Sequence, residues 1–355
     1  MSKSLTNLEQ TFLDLAAIDE VYPNEDKVLT YVTDQLAALG LSYTRDKTGN
    51  IVALLGDSGP SLALVGHVDI AAPLAGRQVV VTKEHIKTDG RGLLGADDKA
   101  AVALMLELAR AVQSGHAPSQ PIELIFTIGE EAGCLGAAQL DLSRIRSKQA
   151  LVLDWLGGIN EIVTKSPAYI GIDVSYTGRD AHPAEWQEGK NAGAGLAEAV
   201  AGLKQGEYEP DVTCNVGVMQ FGEARNKVPG RASLLAEMRS FDGAQAQAAA
   251  AQVAAHFHDV ADKHDLAIDM SVDSRSPSYV LNTDGPLYRR VGALLDQLGL
   301  KPHEQPTYGC FDGNDLANRG LEVIMMGAGY YNPHSPSEYL DRAEFAQAFE
   351  FLKLL

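Results

Sequence analysis

Apolar positions recur at helical spacing over residues 6–20 and again over 25–39, where Gly40 stops the run. LSYTRD and NIVALLG then read as two short strands about the turn sequence Lys47-Thr48-Gly49-Asn50. Three continuous apolar runs follow, SLALVGHVD (61–69), PIELIFTIG (121–129) and ALVLDW (150–155). Such runs suit strands buried on both faces. Between the first two lies the clearest helix, 97–114, which opens on two aspartates. Each buried strand therefore ends in or beside a polar residue able to bind metal. In open α/β sheets the ligand crevice lies at the carboxyl ends of the strands.

From residue 165 the pattern changes. YIGIDVSYTG (169–178) alternates with period two, 189–203 reads as a helix, and 212–224 and 232–242 read as strands. A long helix at 244–264 and a strand at 266–273 complete a β-α-β-β-α-β order, that of a ferredoxin-like module. The first pattern then resumes, with a helix at 286–300, a buried strand at 321–329 and a helix running to the end of the chain. The expected organisation is one α/β domain, 1–164 and 275–355, interrupted by an α+β domain, 165–274.

Composition narrows the picture. With 45% hydrophobic and 21% charged residues in 355, the chain can build a sizeable core. A formal net charge of -18 argues against nucleic-acid binding. The three cysteines, Cys134, Cys214 and Cys310, form no CxxC pair and fit a reducing compartment. No run resembles a signal peptide or a membrane span, so the expected location is the cytoplasm.

The candidate chemistry lies at the strand ends. His67 in GHVD, Asp97 in GADDK, Glu131 in GEEAG, Asp154 in VLDW and His334 in NPHSP are imidazole and carboxylate ligands suited to Zn²⁺ and related ions. Two ions about 3.5–4 Å apart need one bridging ligand and about two terminal ligands each, and this set meets that count. Asp69, two residues beyond His67, is placed to orient its imidazole. Glu130 adjoins a ligand and is placed to act as general base, taking a proton from a metal-bridging water. Singly, these residues read as a structural histidine, a helix cap and a solvated acidic pair. Their joint placement carries the argument.

At these residues the chain resembles the peptidase T, aminoacylase and glutamate-carboxypeptidase superfamily of co-catalytic zinc hydrolases, peptidase T-like members above all. GHVD (66–69), LLGADDKAAVA (93–103), TIGEEAGCLGA (127–137), VLDW (152–155) and PHSPSEY (333–339) carry the likeness. The resemblance implies a zinc-exopeptidase-like domain, with a mixed central sheet flanked by helices, and an inserted ferredoxin-like lid. It implies two divalent ions, zinc with cobalt or manganese as alternatives. His67, Asp97 and Asp154 would hold one ion and Asp97, Glu131 and His334 the other, with a cis bond after the bridging Asp97. TGRDAHPA (177–184) resembles a lid motif and gives His182 as oxyanion donor, in its own subunit or across a homodimer formed through the lid. Asn226 and Arg239 are the substrate-contacting candidates of a second lid segment, and GCFDGND (309–315) resembles a substrate loop. Ile70, Trp155 and Leu156 depart from the family's usual residues and bear on specificity. The expected reaction is amide hydrolysis in short peptides. The alternatives are an N-acyl-amino-acid deacylase or dipeptidase with the same chemistry, or a non-catalytic metal- or peptide-binding protein.

Overall fold

The computed structural model describes residues 5–56, 59–74 and 76–355. They form two units. The first comprises the chain up to Lys165 together with Val280–Thr307 and Phe311–Leu355; the second comprises Ser166–Tyr279 and Tyr308–Cys310.

The first unit is built on an eight-stranded mixed sheet. Its centre is four parallel strands in the order Ile122–Thr127, Leu62–His67, Gln149–Trp155 and Glu322–Gly327. Every residue of Leu62–His67 and Ile122–Thr127 is buried, as their unbroken apolar runs require. The strand Ile51–Leu55 adds antiparallel to Ile122–Thr127 and continues into Tyr43–Arg45. On the far side stand Glu161–Val163 and His303–Gln305, two short strands that the apolar pattern did not show.

The helix Ala96–Gln113 packs on Leu62–His67 and is buried along most of its length. Gly66 makes this approach possible. A Cβ there would lie 2.7 Å from the Ala101 Cβ and 2.9 Å from Asp98 Oδ2. Close packing at Gly66 thus sets the start of the helix, with Asp97, over the end of the strand that bears His67.

Three features of this unit correct the sequence reading. The first helix, Asn7–Ala16, ends four residues early. The Glu20 carboxylate is drawn off to accept the Lys27 and Val28 N–H groups, which start the next helix, Asp26–Ala38. The terminal helix begins only at Arg342, where Asp341 caps it by accepting from Ala343 and Glu344 N–H. The residues before it, Tyr339–Asp341, form a strand instead. That strand joins Tyr330–Tyr331, His85–Thr88 and Val79–Val81 in a small four-stranded sheet.

The second unit is a five-stranded antiparallel sheet. The strands Ala267–Ser276, Ala168–Thr177, Arg231–Ser240 and Val212–Phe221 lie side by side in the ferredoxin-like order, and Gly206–Glu209 adds a short edge. The helices Ala192–Ala201 and Gly243–Lys263 cover one face, where Ile172, Leu234, Met238 and Phe257 form the core. The Tyr176 hydroxyl is buried within that core and donates to the Phe257 carbonyl at 2.5 Å.

Residues 275–279 and 308–310 belong to this second unit, whereas the sequence reading placed them in the first. The last strand runs on to Ser276 along Ala168–Thr177. The loop at 308–310 is held by Arg239 Nη1, which donates to the Tyr308 carbonyl at 2.8 Å, and by Ser166 Oγ, which donates to the Gly309 carbonyl at 2.7 Å.

Candidate metal centre

His67 is the last residue of its strand, and Asp154 lies near the end of the neighbouring parallel strand. Asp97 enters at the start of the packed helix, and its bond to Asp98 is cis. Glu130 and Glu131 follow the strand Ile122–Thr127, in a loop where Gly129 has φ +59°. A side chain at Gly129 would also strike the Tyr22 ring at 2.7 Å, so glycine is required twice over. His334 sits in the turn between the strands Tyr330–Tyr331 and Tyr339–Asp341.

These residues converge as three overlapping triads: two share the Asp97 carboxylate, and a third joins His67, Glu130 and Glu131. His67 Nε2 is 3.2 Å from Asp97 Oδ1 and 3.6 Å from Asp154 Oδ1. His334 Nε2 is 3.2 Å from Asp97 Oδ2 and 2.8 Å from Glu131 Oε1. Each triad's ligand atoms all lie within 4.8 Å of one another. Tetrahedral ligation at about 2.0–2.2 Å puts neighbouring donor atoms ~3.4 Å apart, and the observed distances straddle that value. Asp97 turns one oxygen to each histidine, the arrangement a bridging ligand needs.

The charges point the same way. Among the described residues, no lysine or arginine is within ion-pair distance of Asp97, Glu131 or Asp154. Buried carboxylates without a cation are costly. Burial pushes the Asp154 carboxyl up to about 7. Burial also raises Glu130 well above the usual carboxylate range, with Asp154 adding to the effect. Asp97 and Glu131 in turn drive the His334 imidazole up to about 11. Divalent cations would neutralise this set, so the residues fit the group that their donor chemistry implies.

Asp69 does more than the sequence reading asked of it. Its carboxylate lies 3.4 Å from His67 Nδ1, while its carbonyl oxygen is closer, at 3.1 Å. Its two carboxylate oxygens accept the N–H groups of Glu130 and Glu131, each at 3.1 Å. One buried side chain thus serves both the histidine and the acidic loop.

Sequence reasoning missed four contributors. Tyr330 donates its hydroxyl toward Asp154 Oδ1 at 3.1 Å and Asp97 Oδ1 at 3.3 Å. Glu338 accepts backbone N–H groups from the segment that leads to Asp97. Asp312, buried behind the centre, accepts from the Thr127 hydroxyl at 2.5 Å. Glu338, Thr127 and Asp312 all lie inside the family-like motifs, so the signal was present without a partner to explain it. Tyr330 lies just outside them.

Trp155, one of the departures noted from sequence, packs edge-on to Phe311 with ring centroids 5.6 Å apart. Near Asp312, Asp315 keeps a buried Oδ2 without a hydrogen-bond partner. Burial, and then the Asp312 charge, push its carboxyl from 3.8 up to about 7. Between those values the unfolded chain has released a proton that the folded chain keeps, so stability falls as pH rises. Asp315→Asn removes that loss. By calorimetry its thermal midpoint should exceed that of the wild type at pH 8 and gain little at pH 4. An equal shift at both pH values would refute this account.

In the second unit, His182 is exposed and its Nδ1 accepts from Ala184 N–H at 3.2 Å. Asn226 is exposed in a turn. Arg239 stacks over the Tyr169 ring at 4.5 Å and directs Nε and Nη2 to the two oxygens of Glu237. A substrate carboxylate would have to compete with Glu237 for that fork.

The sequence profile of peptidase family M20/M25/M40 matches residues 63–355. The chain belongs to this family. The protein is accordingly a metallopeptidase, a hydrolase of peptide bonds. The uncharacterized protein YqjE of Bacillus subtilis is 25% identical over 97% of the peptidase's chain and 96% of its own. The crystal structure of a tripeptidase from Staphylococcus aureus matches with a TM-score of 0.89 at 25% identity, covering 98% of the peptidase and 96% of that chain. Aminopeptidase PepT from Bacillus cereus matches with a TM-score of 0.84 at 26% identity, over the same shares of both chains. The mixed sheet flanked by helices is the fold of these peptidases. No helix among the described residues is long and apolar enough to cross a membrane.

Proposed function

We propose that this peptidase is a two-metal aminopeptidase that removes residues from short peptides, with Glu130 as general base. The observation that carries the reading is the division of Asp97, one oxygen toward His67 and the other toward His334. His67, Asp97 and Asp154 would hold one ion, and Asp97, Glu131 and His334 the other. When bound, divalent ions polarise the scissile carbonyl and acidify water.

The remaining work falls to side chains. Glu130 Oε2 lies 4.0 Å from His67 Nε2, at the edge of the first triad. Its raised proton affinity suits a group that accepts a proton from the attacking water and returns it to the departing amine. Asp69 fixes the backbone beneath Glu130 and Glu131. The Cys134 thiol donates to Glu130 Oε1 at 3.5 Å, so it serves the carboxylate rather than acting as a nucleophile. His182 uses Nδ1 as an acceptor, which leaves Nε2 as the donor nitrogen and supports its assignment to the tetrahedral oxyanion.

The tripeptidase and aminopeptidase relatives support short peptides with a free amine as substrates. The test is metal content per chain, with turnover of di- and tripeptides and of N-acetyl amino acids before and after chelation. About two ions per chain, and tripeptide cleavage lost to chelator and restored by Zn²⁺, Co²⁺ or Mn²⁺, is the expected result. Faster turnover of the N-acetyl compounds would replace this reading with a deacylase. Activity indifferent to chelation would end the metal assignment.

A further inference from the structure

Glu338 is 1% exposed, and among the described residues no cationic side chain lies within ion-pair distance of its carboxylate. Its bonds go to four successive backbone amides. Oε2 accepts from Leu94 N–H at 2.6 Å and Gly95 N–H at 2.9 Å, and Oε1 from Ala96 N–H at 2.7 Å and Asp97 N–H at 3.1 Å. Buried backbone amides need an acceptor, and a carboxylate with two oxygens can satisfy several at once. The helix Ala96–Gln113 has no side-chain cap of its own, because Gly95 holds the cap position. Asp97 and Asp98 depart from helical geometry, so these amides lie in the irregular lead-in to the regular helix, and Glu338 satisfies them from more than 240 residues away in the chain.

No side chain at position 95 can serve instead, because Gly95 is left-handed at φ +73° and a serine or aspartate cap needs an extended backbone, so the acceptor must come from another segment. What Glu338 adds is a link between two metal-binding segments. It lies four residues after His334, and its own N–H donates to the Ser335 carbonyl at 3.1 Å, closing the turn that directly follows His334. The strand that follows, Tyr339–Asp341, anchors this turn by pairing with His85–Thr88. One carboxylate therefore joins the backbone at Asp97 to the turn at His334. The other ligands of the first triad, His67 and Asp154, stand on central strands and need no such tether.

We infer that Glu338 is a positioning residue that holds Asp97 against His334 and thereby sets the affinity of the Asp97–Glu131–His334 triad for its ion. The inference rests on the two-metal reading. Glu338 touches neither ion nor substrate; it acts through the Asp97 backbone. Partners of this kind change metal affinity by about 10- to 100-fold when removed.

The experiment uses the full chain, stripped by chelator and titrated with Zn²⁺ against a competing chelating dye. Wild type, Glu338→Gln and Glu338→Ala are compared. Glutamine keeps the size of the side chain but turns its amide NH2, a donor, toward two of the four N–H groups, so it tests the interaction even if the alanine variant fails to fold. In Glu338→Gln one Zn²⁺ should bind about 10- to 100-fold more weakly, while the other shifts by clearly less. Hydrogen exchange of residues 94–97 in the metal-free variant should be faster than in wild type. Equal weakening of both ions would indicate a general structural defect and overturn the inference. Two ions bound with unchanged affinity would overturn it as well and leave the two-metal reading standing. A wild-type chain that binds no Zn²⁺ would overturn both.

Discussion

Glu130→Gln should lower kcat for tripeptide hydrolysis by about two to four orders of magnitude, with metal content unchanged. Glutamine keeps the shape of the side chain and loses only the capacity to carry a proton. The Glu130 carboxylate is buried and stands at the edge of the first triad. Its backbone is fixed from outside the side chain, by Asp69 on its own N–H and by the Gly133 and Cys134 N–H groups on its carbonyl. The substitution therefore leaves the loop and Glu131 in place. Steady-state kinetics together with metal analysis on one preparation make the check. Wild-type kcat in the variant would assign the proton transfer elsewhere. Loss of metal in parallel with activity would make Glu130 a ligand rather than a base.

Asp97→Ala should abolish metal-dependent hydrolysis, because it withdraws one oxygen at once from each of the two triads that share it. His67 and Asp154 would remain on one side, Glu131 and His334 on the other, and two protein ligands hold an ion poorly where three are usual. Metal content should fall from about two ions to less than one per chain. The fold should survive, since the helix behind Asp97 is buried over Ala100–Ala109 and the residue 97 N–H that Glu338 accepts is still present. Circular dichroism with metal analysis separates the two effects. A variant that keeps both ions at near wild-type affinity would show that Asp97 does not bridge.

Much of the site is legible in the hydrophobic pattern alone. The continuous apolar runs at 61–69, 121–129 and 150–155 mark buried strands, because a strand covered on both faces has no polar side to show. Their polar ends then fall where a parallel sheet presents ligands. The ferredoxin-like order from 165 onward is legible from the change to period-two alternation. Several of the short strands are not. Val79–Val81, Glu161–Val163 and His303–Gln305 span three residues each, too few for a period to emerge. Tyr339–Asp341 reads as helix because its apolar spacing merges with that of the helix Asp341 caps.

By itself, the sequence determined which groups could bind metal and which strands would carry them, and it singled out the residue proposed as base, since these depend on residue type and on hydrophobic period. Only the tertiary structure decided how Asp97 divides its oxygens, that Asp69 braces the acidic loop, that Tyr330 reaches two ligands and that Glu338 holds four successive amides ahead of a helix more than 240 residues earlier. The physical reason is range. Periodicity and local propensity act over a few residues, whereas a buried carboxylate takes whatever N–H groups the fold brings to it, however far apart they lie in the chain.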